Sequence, residues 1–248
     1  MNSSAANINA IAKRELASYF TSPVAYVFLV IFLLLIGFFT FTAGSFFERG
    51  EANLTSFFTW HPWLYLVLVP AVGMRVWSEE RRSGTMELLL TMPVNPWEAI
   101  LAKFLASWIF LAIALALTFP VVLTVNLLGD PDNGQIAAGY LGSIFLSGAY
   151  LALTCMTSAM TRNQVIAFIL SVVLCLFMIL AGFNPVTDML TRWASPAVVE
   201  VVAAFSVVTH YGSFQKGVID LRDLVYFLSL IGFALFATSV IIRNHRAG

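Results

Sequence analysis

The sequence predicts an all-α membrane protein with six transmembrane helices. Three observations carry that expectation. Of the 248 residues, 60% are apolar and 10% charged, against roughly 45–50% and about 25% in a soluble domain. Long uncharged runs recur along the chain, each near the ~20 residues that cross a hydrocarbon core. Lysine and arginine fall mostly on alternate loops, the bias that orients a multi-pass chain. The composition argues against a disordered chain and a soluble enzyme. Thirteen basic residues balance thirteen acidic ones, so no cationic excess is available for nucleic-acid phosphates. Strands of a barrel would alternate with a period of two, a pattern absent here.

From the N-terminus, residues 7–20 read as an interfacial helix. Ile8, Ile11, Ala12, Leu16, Tyr19 and Phe20 share one face, with Lys13 and Arg14 on another. Ser22 and Pro23 supply a cap and a first-turn proline. Spans follow at about 24–47, 54–76, 103–128, 136–160, 164–182 and 222–243, in one permease domain over 1–248. Pro70 and Pro120 are expected to kink the second and third. The first span is too long for a signal-peptide core and five more follow it, so it is read as retained.

Residues 78–102 form the longest loop on the basic side. Gly84 breaks it, 85–92 can make a short helix ended by Pro93, and Met86, Leu88, Leu89, Leu90 and Met92 are too apolar for a solvated turn. Such a helix between charged flanks suits a docking surface, or burial against the membrane face. Asn95, Pro96 and Glu98 then open the next helix with a capping box. On the other side, 183–221 is long enough to expect a role. Within it, 198–208 spans about half a bilayer, which suggests a re-entrant or interfacial helix. Asp220 and Asp223 are expected to cap the last span.

Placing loops alternately puts Lys13, Arg14, Arg75, Arg81, Arg82, Lys103, Arg162, Arg243 and Arg246 on one side. Only Arg49, Arg192, Lys216 and Arg222 fall on the other. The first side is therefore cytoplasmic, with both termini inside. Adding the acids gives +4 inside and −4 outside.

The chain has no G-x-x-x-x-G-K-[ST], H-E-x-x-H, C-x-x-C or G-x-S-x-G motif, so it is read as neither an ATPase nor another enzyme. The spans also lack mid-membrane charge, which disfavours ion coupling. Any uphill work must draw energy from elsewhere, and the 78–102 loop is the candidate entry. In the fourth span Ser143, Ser147, Tyr150, Thr154 and Thr157 form a hydroxyl stripe near Gly139 and Gly142. It reads as a close-packing seam or as one wall of a substrate path. Cys155, Met156, Met160, Cys175 and Met178 are core fillers or a soft site for copper(I). His61 and His210 leave a haem- or metal-handling alternative open, and a scaffold that transports nothing is a further one.

Three segments carry a resemblance over essentially the whole chain: KRELASYFTSPVAY, EERRSGTMELLLTMPVNPWEAILAKF and HYGSFQKGVIDLRDLVYFLSL. Together they resemble the permease subunit of ABC-2 type transporters. The gliding-motility-associated permease subfamily, related to the nitrous-oxide-reductase maturation permease, is the nearest match. The resemblance implies a dimer of permease chains in a bacterial inner membrane, bound to two separate ABC ATPase subunits that hold ATP and magnesium. No cofactor is implied on this chain. An accessory membrane protein with a large periplasmic domain is implied as a further partner. By the same resemblance Glu79, Glu80, Arg81, Arg82, Thr85, Met86, Glu87, Leu88, Leu89 and Met92 belong to a coupling helix seated in the ATPase. Lys13, Arg14, Glu15 and Tyr19 belong to an elbow helix, and 198–210 to an outer gate. Export and mechanical work on a periplasmic partner are both compatible with it.

Overall fold

A computed structural model describes residues 4–50, 52–86, 95–192 and 194–244, and the regular elements among them are all helical. Helix α1 (Ser4–Thr21) is followed after one residue by α2 (Pro23–Phe38), which widens into a π-helical turn over Phe39–Ala43. Ser22 Oγ accepts from the Val24 amide at 3.3 Å and Pro23 takes the first turn, so the cap read from sequence forms. Short helices α3 (Phe46–Arg49) and α4 (Thr55–Thr59) precede α5 (His61–Gly73) and α6 (Arg75–Ser83). Gly84, at φ 73°, ends α6 in a left-handed conformation that glycine adopts without strain.

Next come α7 (Pro96–Ala116) and α8 (Phe119–Leu128), separated by a break just before Pro120 where a kink was expected. Helix α9 (Asn133–Met160), capped by Asp132, is the longest. It is followed by α10 (Gln164–Leu180), α11 (Asn184–Leu190), α12 (Pro196–Ala204), α13 (Val207–Gln215) and α14 (Leu221–Asn244).

Among the described residues four stretches are long and apolar enough to cross a membrane: Pro23–Glu48, Pro96–Leu128, Asn133–Met160 and Leu221–Asn244. Two bent pairs, α10 with α11 at 70° and α12 with α13 at 67°, raise the number to six if each is one span. The expected second span, 54–76, is divided among α4, α5 and α6 instead. Pro62 restarts the helix after Trp60, and the chain breaks again at Met74. The thirteen residues of α5 alone rise ~20 Å at 1.5 Å per residue, short of the ~30 Å hydrocarbon core.

Helix α9 is the centre. Helices α5, α6, α7, α10, α13 and α14 pack around it, and Leu146, Ala149, Tyr150, Leu151, Ala152 and Ala159 are fully enclosed. Small residues allow the close approach. A Cβ built on Gly139 would lie 2.5 Å from Phe58, and one on Gly148 would lie 2.9 Å from Trp108. Trp108 also donates its indole N–H to the Ile144 carbonyl at 2.9 Å. The outer faces are apolar and exposed, with Val24, Val27, Val30 and Leu34 on α2, Val165, Ile169 and Phe177 on α10, and Val225, Leu228 and Phe236 on α14. Such contiguous faces suit lipid or another membrane chain rather than water.

Candidate functional site: the junction of α1, α6, α7 and α9

Helix α1 packs lengthwise on α7 through an apolar upper half and a charged lower half. Tyr19 is buried, shares a 2.9 Å hydrogen bond with Ser107 and stacks on Phe110 with centroids 4.9 Å apart. At the start of α7, Asn95 Oδ1 accepts from the Trp97 amide, and Glu98 accepts from Asn7 Nδ2 at 3.1 Å. Hydrogen bonds from Ser4 and Asn7 hold the Glu98 carboxyl below the usual carboxylate range. The expected cap at Asn95 forms, and Glu98 ties down α1.

Lys103 is the hub of this end. Its side chain is 6% exposed, its ammonium lies 3.1 Å from Glu15 on α1 and 2.8 Å from Glu80 on α6, and it sits 5.7 Å from the Trp77 ring centre. Burial pushes the Glu15 carboxyl up, but Lys103 and Arg14 outweigh it and leave the group below its ordinary value of 4.5. A lone ammonium between two carboxylates joins three helices that are far apart in sequence. Of the residues assigned to the N-terminal helix, Glu15 and Tyr19 face this junction. Arg14 is exposed and pairs with Glu15 at 3.1 Å, and Lys13 is exposed.

The second tie joins α6 to α9. The start of α6 has no cap of its own. The Ser158 hydroxyl at the end of α9 accepts from the Trp77 and Ser78 amides at 3.1 and 3.0 Å, and donates to the Met74 carbonyl at 2.7 Å. One turn on, Arg81 donates to the Ala159 carbonyl at 2.6 Å, a cation on a helix C-terminus. Burial, and to a smaller degree Arg162, lower the Arg81 pKa. Helix α6 therefore moves with α9 unless these bonds break. Ser158→Ala should destabilise the fold by about 1 kcal/mol, the usual loss for a capping hydroxyl, and lower the melting temperature of the detergent-solubilised chain.

The residues assigned to the coupling helix divide accordingly. Arg81 and Glu80 are engaged inside the chain, whereas Glu79, Arg82 and Thr85 are exposed and Met86 is buried. Glu87, Leu88, Leu89 and Met92 lie outside the described residues.

The hydroxyl stripe lies on buried faces of α9. Ser143 bonds to the Tyr211 hydroxyl at 2.9 Å and to Gly139, and Thr157 shares a hydrogen bond with Ser171. Ser147 and Thr154 donate to carbonyls of their own helix. The Tyr150 hydroxyl has no hydrogen-bond partner among the described residues.

At the opposite end, Asp220 Oδ1 accepts from the Arg222 amide, as a cap should. Asp223 instead meets His210 Nδ1 at 2.6 Å, while His210 Nε2 lies 3.1 Å from the Ala204 carbonyl and the ring stacks on Tyr226. His61 is fully buried against Phe57, Phe58 and Tyr65, with Nδ1 3.0 Å from the Phe57 carbonyl. Cys155 and Cys175 are buried free thiols. Among the described residues no three His, Cys, Asp or Glu side chains are grouped to hold a metal.

Sequence reasoning counted Lys103 only as a charge and passed over Ser158, Ser107 and the His210–Asp223 pair. One signal was available for Lys103: it is an isolated charge on the threshold of an apolar run.

The comparisons with known proteins agree with this architecture. The sequence profile of the ABC-2 family transporter protein matches residues 63–198, from α5 into α12. The chain is 27% identical over 148 residues to the inner membrane transport permease YhhJ of Escherichia coli (strain K12), covering 56% of this chain and 36% of that protein. The YhhJ permease of Shigella flexneri aligns with the same figures. The chain thus spans a little over a third of the length of the curated relatives it matches. With a family match across more than half its length and helices that cross the membrane several times, the chain belongs to the ABC-2 family of transporter proteins.

Proposed function

We propose that the chain is the membrane-embedded subunit of an ATP-driven transporter of a bacterial inner membrane, moved by a separate ABC ATPase. Family membership implies such an ATPase as partner, and the relatives' name, inner membrane transport permease, supports the location. One structural observation supports the route of coupling. Helix α6, which leads into residues 85–92, is bonded to the central helix α9 by Ser158 and Arg81, and to α1 and α7 through Lys103. A force that arrives at α6 reaches the middle of the bundle through these bonds.

In this reading the exposed Glu79, Arg82 and Thr85, with Met86, Glu87, Leu88, Leu89 and Met92 beyond them, seat in the ATPase. Arg81 and Glu80 anchor the loop to the bundle. Helix α1 lies along the cytoplasmic face as an elbow, and both termini are cytoplasmic. The α4–α6 pieces act as one interrupted second span, and residues 198–210, within the α12–α13 pair, form the outer gate. Two permease copies assemble with two ATPase subunits. The resemblance of HYGSFQKGVIDLRDL to the gliding-motility-associated subfamily favours an accessory membrane partner with a large periplasmic domain. Either export or mechanical work on that partner fits, and a path along Ser143, Ser147, Tyr150, Thr154 and Thr157 requires α9 to part from α10 and α13.

The test is isolation of the full chain with its co-expressed ABC ATPase. The reading expects a stable complex whose ATP hydrolysis exceeds that of the ATPase alone. A chain that neither retains the ATPase nor alters its rate would mark it as a scaffold.

A further inference from the structure

Two cavities meet beneath α1. The first, of about 240 Å³, is polar and lies between α1, α6 and α7, with Ser18, Ser22, Arg75, Glu79, Glu80 and Lys103 among its walls. The second, of about 230 Å³, is apolar and runs between α2 and α5 past Val24, Val27, Ile31, Leu68 and Ala71. Tyr19 and Arg75 line both. The apolar one opens on the outer face, where Val24, Val27 and Ile31 are 58%, 56% and 43% exposed. A charged chamber beside a bilayer-facing apolar groove, with Tyr19 and Arg75 as their shared wall, has the arrangement of a lipid: headgroup first, acyl chain behind.

The charges select the headgroup. Arg75 has no carboxylate within 4.0 Å among the described residues, and its guanidinium is held 5.8 Å over the Tyr19 ring. It stands where the two cavities join, the position of a phosphate between headgroup and chains, and a guanidinium binds phosphate in a forked geometry. Ser22 Oγ accepts from the Val24 amide and keeps its proton for a phosphate oxygen. Deeper in the chamber, Glu80 Oε1 is taken by Lys103 but Oε2 is buried with no hydrogen-bond partner. That atom calls for a donor, and the exposed Glu79 adjoins it. Counting Arg75 and Lys103 against Glu15, Glu79 and Glu80, the walls carry one net negative charge, which disfavours an anionic headgroup. A choline headgroup has no N–H to offer Glu80.

We propose that this paired cavity binds phosphatidylethanolamine. Arg75 and Ser22 hold the phosphate, Glu80 receives the ammonium, and one acyl chain lies between α2 and α5. The lipid then clasps α1, α2 and α6 at the junction described above.

The experiment is native mass spectrometry of the full chain in detergent micelles doped with dioleoyl phosphatidylethanolamine, phosphatidylcholine or phosphatidylglycerol. Phosphatidylethanolamine should be retained about tenfold over each of the others, the worth of one charge-assisted hydrogen bond. Arg75→Gln should weaken retention of all three lipids, because each carries the phosphate that Arg75 holds. Ala71→Trp fills the apolar groove without touching an ion pair, and should remove retention in a chain whose melting temperature confirms folding. Excess glycerophosphoethanolamine, which has the headgroup but no chains, should not displace the lipid. Equal retention of the three lipids, unchanged binding in both variants, or displacement by the soluble headgroup would each overturn the proposal.

Discussion

Lys103→Met should be the most damaging single substitution in the chain. The Lys103 side chain is 6% exposed and its ammonium bridges two carboxylates at 2.8 and 3.1 Å. Methionine keeps the length and apolar stem but leaves Glu80 without a cation among the described residues and Glu15 with only the exposed Arg14. Removing one partner of a buried ion pair costs about 3–5 kcal/mol, because the charge left behind is uncompensated. Unfolding in detergent, followed by Trp fluorescence, should show the loss. Adding Glu15→Gln and Glu80→Gln to Lys103→Met should recover part of it, since the three side chains act as one unit.

The same variant should weaken a pH dependence. In the native chain the Glu15 carboxyl sits below its ordinary value of 4.5. A lowered folded pKa means stability that is present above 4.5 and is lost as pH falls through the folded value. Without Lys103 only Arg14 opposes burial, so the carboxyl moves up. The variant should then lose less stability on acidification than the native chain. A pH series of melting curves on both chains checks the sign.

Gly142→Leu should have the next largest effect. A Cβ there would lie 2.5 Å from Phe214 Cβ and 2.7 Å from its Cγ, and Phe214 is fully buried. Neither backbone can yield easily, because Ser143 beside it bonds to Tyr211 on the same α13. Overpacking of this kind costs about 1–3 kcal/mol at least. It should also push α13 off α9, exposing Tyr211 and Phe214 to quenching. Gly232→Ala is the control. An added Cβ there meets nothing within 4 Å, and alanine for glycine inside a helix gains roughly 0.5–1 kcal/mol.

Much of the helical layout was legible in the residues. Apolar runs gave the positions of α2, α7–α8, α9, α10 and α14, and local chemistry gave their starts: Ser22-Pro23 and Asn95-Pro96 both cap as read. These features are local, so a sequence displays them. The division of 54–76 was less visible, because Trp60-His61-Pro62 and Met74 sit in a run whose mean character is apolar throughout.

The junction was legible only in part. Tyr19 and Glu15 were placed on the right element, but their partners Ser107 and Lys103 lie 88 residues away in sequence. Ser158 reads as one more small residue in α9 until the start of α6 is seen resting on it. Asp223 looked like a cap because Asp220 beside it is one. Its partner His210 is brought back only by the turn after α13. Contacts between helices depend on which faces meet, and one sequence does not display that.

The central claim is that an ABC ATPase drives this chain through the loop that follows α6. The most direct measurement is the ATP hydrolysis rate of the isolated complex with Arg82→Glu. Arg82 is exposed, so its charge can be reversed without disturbing the junction, whereas Arg81 is bonded to Ala159. The account predicts that the substituted chain still inserts and melts normally, while the hydrolysis rate falls to that of the ATPase alone. A normal chain-dependent rate in that variant would contradict the assignment of this loop.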